Sequence, residues 1–185
     1  MPQQKLIPYD EGQVSPNAIV GENVSLGLES KIWYFCVVYG NSERPVRIGR
    51  NTQIGSFSQI KPGVKIGDGC RIQDGASIPD LVEIGNYVFV APRVTFTNDR
   101  YPSALKVHNH SYKELPTYVK DNAVIGARSV INSGITIGKC AVIGMGSVVT
   151  KDVPDYAVVI GNPARVVGDV RDEKFKDKYP EFFKL

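Results

Sequence analysis

Two histidines stand at positions 108 and 110, in a segment that is also rich in Asn, Asp and Tyr. They are the only histidines of the chain. Imidazole titrates near neutral pH, so His108 or His110 could act as a general base. An H-x-H pair could also hold a metal ion if the segment is extended. A third interpretation is that both side chains are merely exposed.

Asn98 lies earlier in the same segment, within "FTNDRYP". A neutral amide cannot take up a proton at neutral pH, but it can orient an amine through hydrogen bonds. Asn98 is therefore a candidate for positioning a nucleophile. The alternative is that Asn98 and Asp99 only shape a turn before Tyr101-Pro102.

The rest of the chain, which must position these side chains, repeats every six residues. Aliphatic or aromatic anchors recur at Val14, Val20, Leu26, Ile32, Val38, Ile48, Ile54, Ile60, Ile66, Ile72, Ile78, Ile84, Val90, Phe96, Val119, Ile125, Ile131, Ile137, Ile143 and Val149. Small or β-branched residues recur four positions after the anchors, as at Cys36 and Ser58. Such a residue lies two positions before the next anchor, and in a strand that spacing places both on one face. Each hexad therefore predicts a short strand and a turn, with φ > 0 expected at the glycines that follow nine anchors.

This pattern resembles the hexapeptide-repeat, left-handed parallel β-helix. The fold class expected is thus all-β, with about seven coils of three hexads each. A right-handed β-solenoid or a β-sandwich would not require strict sixes. We expect the β-helix over residues 1–168. Residues 169–185 are expected to form a short amphipathic helix, with Phe175, Tyr179, Phe182 and Phe183, that caps the coils or else binds a partner.

Two interruptions break the six-residue period. The first is "YGNSERPVR", between Val38 and Ile48, and the second is the external loop 97–118. Both begin after anchors of the same column, so they should leave the same edge of the prism, roughly 14 Å apart. Departures from a rigid scaffold often carry function, which makes the long loop the expected site.

The hexads, the loop and the ending "KDVPDYAVVIGNPARVVG" together resemble the hexapeptide-repeat acyltransferases that use acetyl-CoA, over about residues 14–168. This resemblance implies that acetyl-CoA is a co-substrate and that three chains form a homotrimer. It places pantetheine at Gly126, Ala127, Gly144 and Met145. It also places the CoA phosphates near Lys151 and Arg165. Turn geometry alone is the other explanation for the glycines.

Within the loop, "VTFTNDRYPSAL" is similar to nucleotide-sugar N-acetyltransferases that act on a 3-amino sugar in O-antigen and surface-glycan synthesis. The resemblance implies an amine acceptor, which is already a nucleophile and needs no protein base. It implies that Asn98, Asp99 and Tyr101 bind substrate. The main alternative is an O-acetyltransferase of a sugar or small molecule with His108 or His110 as base.

Two further classes fit less well. Gamma-class carbonic anhydrases share the fold, but their zinc takes three histidines and this chain has two in one loop, so no metal is expected. A purely structural solenoid has no need for the long loop or the "NPAR" ending.

Composition sets the remaining expectations. The chain has 185 residues, 42% of them hydrophobic, and a net charge of +3, which is too small to indicate nucleic-acid binding. The polar start has no signal-peptide core, and no stretch is long and apolar enough to span a membrane. The odd count of cysteines (Cys36, Cys70 and Cys140) predicts buried free thiols and a cytoplasmic location.

Overall fold

The computed structural model of the chain describes residues 7–109 and 111–180. His110, Phe182 and Phe183 lie outside the described residues. Within the described ranges, 23 short strands stack into three sheets, which form the faces of a left-handed parallel β-helix. The predicted fold is confirmed.

The first sheet has ten strands, which stack in the order β1 (Ile7–Tyr9), β2 (Gly12–Val14), β5 (Lys31–Ile32), β8 (Gln53–Ile54), β11 (Arg71–Ile72), β14 (Phe89–Val90), β17 (Val124–Ile125), β20 (Val142–Ile143), β22 (Ala157–Gly161) and β23 (Ala164–Asp169). The second sheet stacks β3 (Ile19–Val20), β6 (Val37–Val38), β9 (Gln59–Ile60), β12 (Ser77–Ile78), β15 (Thr95–Phe96), β18 (Val130–Ile131) and β21 (Val148–Val149). The third sheet stacks β4 (Val24–Leu26), β7 (Val46–Ile48), β10 (Lys65–Ile66), β13 (Val82–Ile84), β16 (Thr117–Val119) and β19 (Thr136–Ile137).

All the predicted anchors lie in these strands, each as the last residue of its strand. Every anchor except the half-buried Val20 is buried in one core that runs through the prism. Except for the half-buried Ala18, the small residues two positions before the next anchor are buried as well, with Ser30, Thr52, Ser58, Ser129 and Ser147 among them. The two inward positions of each hexad are therefore confirmed.

The stack is about one coil taller than predicted. Of the ten strands in the first sheet, β1 and β23 pair antiparallel at its two ends, which leaves 10 − 2 = 8 parallel strands and about eight turns. The additional turn comes from β22, which pairs with β20 although its sequence does not continue the hexads.

The reason for the glycines that follow the anchors differs from the expectation. None of those nine glycines has φ in the left-handed region. Residues in that region lie instead three positions after an anchor, as at Asn51, Tyr87 and Gly69. A Cβ on Gly126 would lie 2.5 Å from the backbone nitrogen of Met145 in the next coil. The prediction of φ > 0 is wrong at these positions, where glycine allows neighbouring coils to stack closely.

The C-terminal segment forms less helix than predicted. Strands β22 and β23 make an antiparallel hairpin, and the part of 169–185 that is described has one 3-10 turn, Glu173–Phe175. Val170, Phe175 and Tyr179 pack against Cys140, Val142 and Val158 on the outer side of the first sheet. The segment thus packs on apolar side chains that point outward from the strands. The helical period of the segment itself did not predict this packing surface.

The cysteines are free and buried, as predicted. Burial raises the pKa of the Cys36 thiol to about 11. Between residues 7 and 180, leaving out residue 110, no helix has the length and apolar character that crossing a bilayer requires. One short α-helix, α1 (Ala104–His108), lies in the loop 97–118.

Candidate active site

One edge of the prism follows the strands of the second sheet, and we call it the loop edge. Strands β12, β15, β18 and β21 stack in register, so residues two positions after their anchors occupy equivalent places. These residues are Asp80, Asn98, Ser133 and Lys151. With about 4.8 Å between coils, Asp80 and Lys151 are separated by about 14 Å along the edge.

The beginning of the long loop is fixed to the coil above it. Thr97 Oγ1 lies 3.2 Å from Asn132 Oδ1 and accepts a hydrogen bond from the Ser133 backbone N–H at 3.0 Å. The guanidinium of Arg100 donates to the Ser133 carbonyl at 2.9 Å. These bonds hold the backbone at Asn98 against the rigid coils.

The two interruptions meet at the loop edge, as the column of their anchors predicted. Arg44, from the first interruption, forms an ion pair with Glu114 of the long loop. Arg44 is fixed in turn by Asn41 Oδ1, which accepts its backbone N–H at 2.7 Å, and by Gly63, whose N–H donates to the Arg44 carbonyl at 3.0 Å. The long loop is therefore anchored near both of its ends.

A cavity of about 510 Å³ lies between the loop and the loop edge. Its lining consists of Asp80, Asn98, Asp99, Pro102, Ser103, Ala104, Val107, Tyr112 and Glu114. The structure thus brings two of the predicted residues, Asn98 and Asp99, into one cavity. Tyr101 is 71% exposed and His108 is exposed at the end of α1, and neither lines the cavity.

The polar groups of this cavity differ in how they are engaged. Glu114 is paired with Arg44, and Asp99 Oδ1 accepts the Tyr101 backbone N–H at 2.7 Å. That bond agrees with the turn interpretation for Asp99. Within the described part of the chain, the side chains of Asp80 and Asn98 make no hydrogen bond or ion pair.

Tyr112 adds a buried hydroxyl to the cavity wall. Its oxygen has no hydrogen-bond partner among the described residues. Burial raises the pKa of Tyr112, and the negative charges of Glu114, Asp80 and Asp99 raise it further, partly offset by Arg44. The phenol therefore stays protonated at neutral pH and remains able to donate a hydrogen bond.

A second, smaller cavity of about 210 Å³ lies at the C-terminal end of the loop edge. It is lined by Val149, Thr150, Lys151, Asp152, Val153, Val159, Ala164, Arg165 and Val166. Lys151 and Arg165 are exposed, and in the described ranges neither forms an ion pair. The two cations predicted to bind phosphate therefore line one cavity and are free to bind an anion.

The remaining four predicted residues lie together on a different edge, after β17 and β20 of the first sheet. Gly126 and Ala127 stack against Gly144 and Met145, with the Gly146 N–H donating to the Ala127 carbonyl at 2.8 Å. Met145 is 79% exposed at the tip of its turn. The close approach of the coils explains both glycines, and a role at pantetheine stays a prediction.

Four residues at or beside the first cavity were missed by the sequence reasoning: Asp80, Tyr112, Glu114 and Arg44. The hexad register contains a signal for Asp80, because it occupies the place of Asn98 one coil earlier. No periodic signal exists for Tyr112 and Glu114 in the irregular loop. Among the described residues no three His, Cys, Asp or Glu side chains are grouped as they would be around a metal ion.

Comparisons with known proteins agree with this architecture. Residues 45–80 match the family model "Bacterial transferase hexapeptide (six repeats)", and residues 116–151 match "Hexapeptide repeat of succinyl-transferase". The coils and these matches show that hexapeptide repeats occupy residues 45–80 and 116–151. Its resemblance to hexapeptide-repeat acyltransferases, including nucleotide-sugar N-acetyltransferases, is confirmed.

The similar proteins include acetyltransferases of both acceptor types. Galactoside O-acetyltransferase of Escherichia coli is 40% identical over 103 residues, 55% of this chain and 49% of that protein. The dTDP-3-amino-3,6-dideoxy-alpha-D-galactopyranose 3-N-acetyltransferase of Aneurinibacillus thermoaerophilus is 59% identical over 54 residues, 29% of this chain and 28% of that protein. The chain thus spans about half, or less, of these relatives.

A similar solved structure is PerB from Caulobacter crescentus, in complex with CoA and GDP-perosamine. It superimposes with a TM-score of 0.57 at 21% identity and covers 86% of this chain and 58% of that chain. At this identity the likeness concerns the fold.

Proposed function

We propose that this chain is an acetyl-CoA-dependent N-acetyltransferase that acts on the amine of a nucleotide-linked amino sugar. The observation that carries the proposal is the first cavity. It holds an unpaired amide, Asn98, beside three carboxylates, Asp80, Asp99 and Glu114. This lining is rich in hydrogen-bond acceptors, so it suits an amine that carries hydrogens to donate.

The relatives support both halves of this proposal. The relative from A. thermoaerophilus is named for N-acetylation of a dTDP-linked 3-amino sugar, and PerB was solved with CoA and a GDP-linked sugar. In this chain, Lys151 and Arg165 would bind the CoA phosphates in the second cavity. Gly126, Ala127, Gly144 and Met145 are proposed to contact the pantetheine arm.

The proposed reaction needs positioning more than proton transfer. The acceptor's neutral amine attacks the thioester carbonyl, the C–S bond breaks, and the acetyl group becomes an amide of the sugar. One proton of the attacking nitrogen passes to the departing thiolate of CoA. Asn98 would orient the amine, since bringing two reactants into the correct geometry can supply much of the rate enhancement.

An O-acetyltransferase is the second candidate, because a relative aligned over more than half of this chain acetylates a galactoside oxygen according to its name. A sugar hydroxyl needs a base, and the candidates are His108 and His110. His108 is exposed and does not line the first cavity. The cavity therefore favours the amine acceptor.

Mass spectrometry of the products tests the choice. The purified protein is incubated with acetyl-CoA and one acceptor in each reaction. The acceptors are GDP-perosamine, dTDP-4-amino-4,6-dideoxyglucose, dTDP-glucose and a galactoside. We expect a gain of one acetyl group on an amino sugar and none on dTDP-glucose. Acetylation of the galactoside alone would contradict the proposal and favour the second candidate.

We also propose a cytoplasmic homotrimer that binds neither nucleic acid nor membranes. In support, the loop carries the exposed apolar residues Tyr101, Leu105 and Val107, which a neighbouring subunit could cover. Sedimentation should show a trimer, and a stable monomer at micromolar concentration would contradict it.

A further inference from the structure

A single row of side chains projects from the prism where the strands of the first sheet end. The residues three positions after the anchors of β5, β8, β11, β14 and β17 are Phe35, Phe57, Gly75, Arg93 and Arg128, and we call this row the first-sheet edge. All five have φ between +58° and +72°. From Phe57 onward, the backbone N–H of each donates to a carbonyl of the preceding coil at 2.8–3.0 Å. These residues therefore follow one another along the prism, one coil apart.

The N-terminal part of the row is aromatic. The rings of Phe35 and Phe57 stack with their centroids 5.2 Å apart and their planes 17° from parallel, and the two residues are 53% and 64% exposed. Gly75 puts no side chain at the next place. The stem of Arg93 borders this gap, with its Cγ 3.3 Å from where a Cβ on Gly75 would lie. A further planar ring can therefore continue the stack between Phe57 and Arg93.

The C-terminal part of the row is positively charged. Arg93 and Arg128 are both exposed, and their backbones are about one coil spacing, roughly 4.8 Å, apart. Among the described residues neither guanidinium makes a hydrogen bond or an ion pair. Asp74, beside the gap, pairs with neither of them, and its Oδ1 accepts the Ser56 backbone N–H at 2.8 Å. Two neighbouring guanidinium groups with open donors suit the oxygens of a diphosphate.

An exposed aromatic stack and a pair of cations in one row match a nucleoside diphosphate, because its base stacks and its phosphates carry negative charge. We propose that the first-sheet edge binds the nucleoside diphosphate of the acceptor. The base lies in the gap at Gly75, against Phe57, and the diphosphate lies on Arg93 and Arg128. This inference rests on the proposed function, its homotrimer included, and names the residues that recognise the nucleotide.

The homotrimer brings this edge to a place where the sugar can react. A threefold interface joins two different surfaces of the chain, so the first-sheet edge of one subunit can face the loop edge of the next. Arg93 and Asn98 follow β14 and β15, consecutive strands of one coil, and so stand at nearly the same height. A sugar attached to the diphosphate then enters the first cavity of the neighbouring subunit. Gly126 and Ala127, proposed to contact pantetheine, precede Arg128 directly, which brings the thioester to the same boundary.

Calorimetric titration with dTDP, UDP and GDP tests the base site without a chemical step. Phe57→Leu removes the ring but keeps an apolar side chain, and we expect it to raise Kd for the best-bound nucleotide about 5- to 150-fold. Phe57→Tyr keeps a ring and should stay within about threefold of the wild type. Tyr87→Leu is the matched control. Tyr87 is 66% exposed, has a φ of 55° and also lies over a glycine, Gly69, but on the edge after the third sheet.

Replacing both arginines, in Arg93→Gln with Arg128→Gln, tests the diphosphate site. We expect Kd for the same nucleotide to rise about 10- to 150-fold, and binding to become less sensitive to NaCl. In acetylation assays the KM for the nucleotide sugar should rise and the KM for acetyl-CoA should stay unchanged. This split distinguishes the acceptor's diphosphate from that of CoA, and a rise confined to acetyl-CoA would overturn the inference. Arg50→Gln, which changes an exposed arginine on the edge after the third sheet, is the control.

Three binding and assembly results would also overturn the inference. They are a wild type that binds none of the three nucleotides, Kd values within about twofold of the wild type in both Phe57→Leu and the arginine variant, and a trimer that dissociates in Phe57→Leu. The last result would show that the rings contact another subunit instead of a base.

These results are independent of the proposed function. If the wild type binds a nucleotide and the variants weaken it, but no amino sugar is acetylated, the site stands and the proposed function fails. If an amino sugar is acetylated and the variants bind the nucleotide normally, the proposed function stands and the site fails.

Discussion

The coils and the loop 97–118 are held in place by different means. In the coils, each inner strand, such as β11, pairs with a strand above and one below, and the anchors, such as Ile72 at 1% exposure, pack in a continuous core. In the loop, α1 has five residues, none of them buried, and Ser103 gives it no side-chain cap. The scaffold is thus set by a repeated pattern, whereas the loop depends on a few individual contacts.

The coils supply most of the stability, and the loop supplies the part of the first cavity that can move. Regions with few buried contacts open at low energetic cost, and binding loops belong to that class. The first cavity has one wall of each kind. Asp80 and Asn98, the latter at the beginning of the loop, stand on the loop edge, and Val107, Tyr112 and Glu114 come from further along the loop. Side chains on the loop edge keep their positions, while the wall formed by the loop can adapt.

The largest expected effect is on stability, and it separates the two regions directly. Ile72→Ala should lower the free energy of unfolding by about 2–5 kcal/mol, because it leaves a cavity in the core. Leu105→Ala, on the exposed face of α1, should change it by less than about 0.5 kcal/mol. Urea denaturation followed by circular dichroism measures both. Equal losses would show that the loop is as integral to the fold as the coils.

A second comparison concerns two glycines and the reason for each. Gly126→Ala would place a Cβ 2.5 Å from the next coil's backbone, so we expect a loss of about 1–3 kcal/mol. A Cβ on Gly146 would have no heavy atom within 4 Å apart from its chain neighbours, so only the φ of +68° opposes a side chain, which should cost about 1–2 kcal/mol. Gly146→Asn should be tolerated better than Gly146→Ala, since Asn adopts this conformation more readily. If Gly126→Asn behaved like Gly146→Asn, close coil stacking would not be the reason for Gly126.

The fold was largely predictable because each hexad repeats the same physical requirement. Two inward side chains and a close approach between coils restrict the residue types at fixed positions, and twenty repeats make the pattern unambiguous. The hairpin of β22 and β23 was missed because it occurs once and its outward residues Val166 and Val167 remain partly exposed. A single antiparallel pair gives no periodic signal.

The site was predictable only in part for the same reason. Asn98 lies at the first turn of the loop, where the hexad register still applies, and it does line the cavity. Tyr101 and His108 lie further into the loop, and their positions depend on contacts such as the ion pair of Glu114 with Arg44, seventy residues away. Composition marks such a loop as a candidate site but does not specify which side chains converge.

A third prediction compares Asn98 with the two histidines of the loop through activity. If the acceptor is an amine and Asn98 positions it, Asn98→Ala should lower kcat/KM by about 5- to 150-fold, or roughly 1–3 kcal/mol. Replacing both His108 and His110 with Ala should cost less than the about 100- to 10,000-fold that a general base contributes. Steady-state kinetics with acetyl-CoA and an amino sugar measure both. An essential histidine together with a near-normal Asn98→Ala would replace the N-acetyltransferase mechanism by the hydroxyl alternative.

The smallest expected effect concerns the contact that joins the two interruptions. The Arg44 and Glu114 side chains are 40% and 21% exposed, so solvent screens their attraction. Arg44→Met should therefore reduce the free energy of unfolding by less than about 1 kcal/mol. Arg44→Met should change the acceptor's KM more noticeably than it changes stability, because Glu114 and Tyr112 would lose the ion pair that fixes their side of the cavity.

A double-mutant cycle of Arg44→Met with Glu114→Gln isolates this contact, since each change should remove most of the same interaction. Lys61→Met, which alters a cation packed on Tyr39 and absent from the cavity lining, is the control. If Arg44→Met and Lys61→Met changed the acceptor's KM equally, the ion pair would not fix the loop side of the first cavity. In that case α1 and its flanking backbone would have to position the loop side.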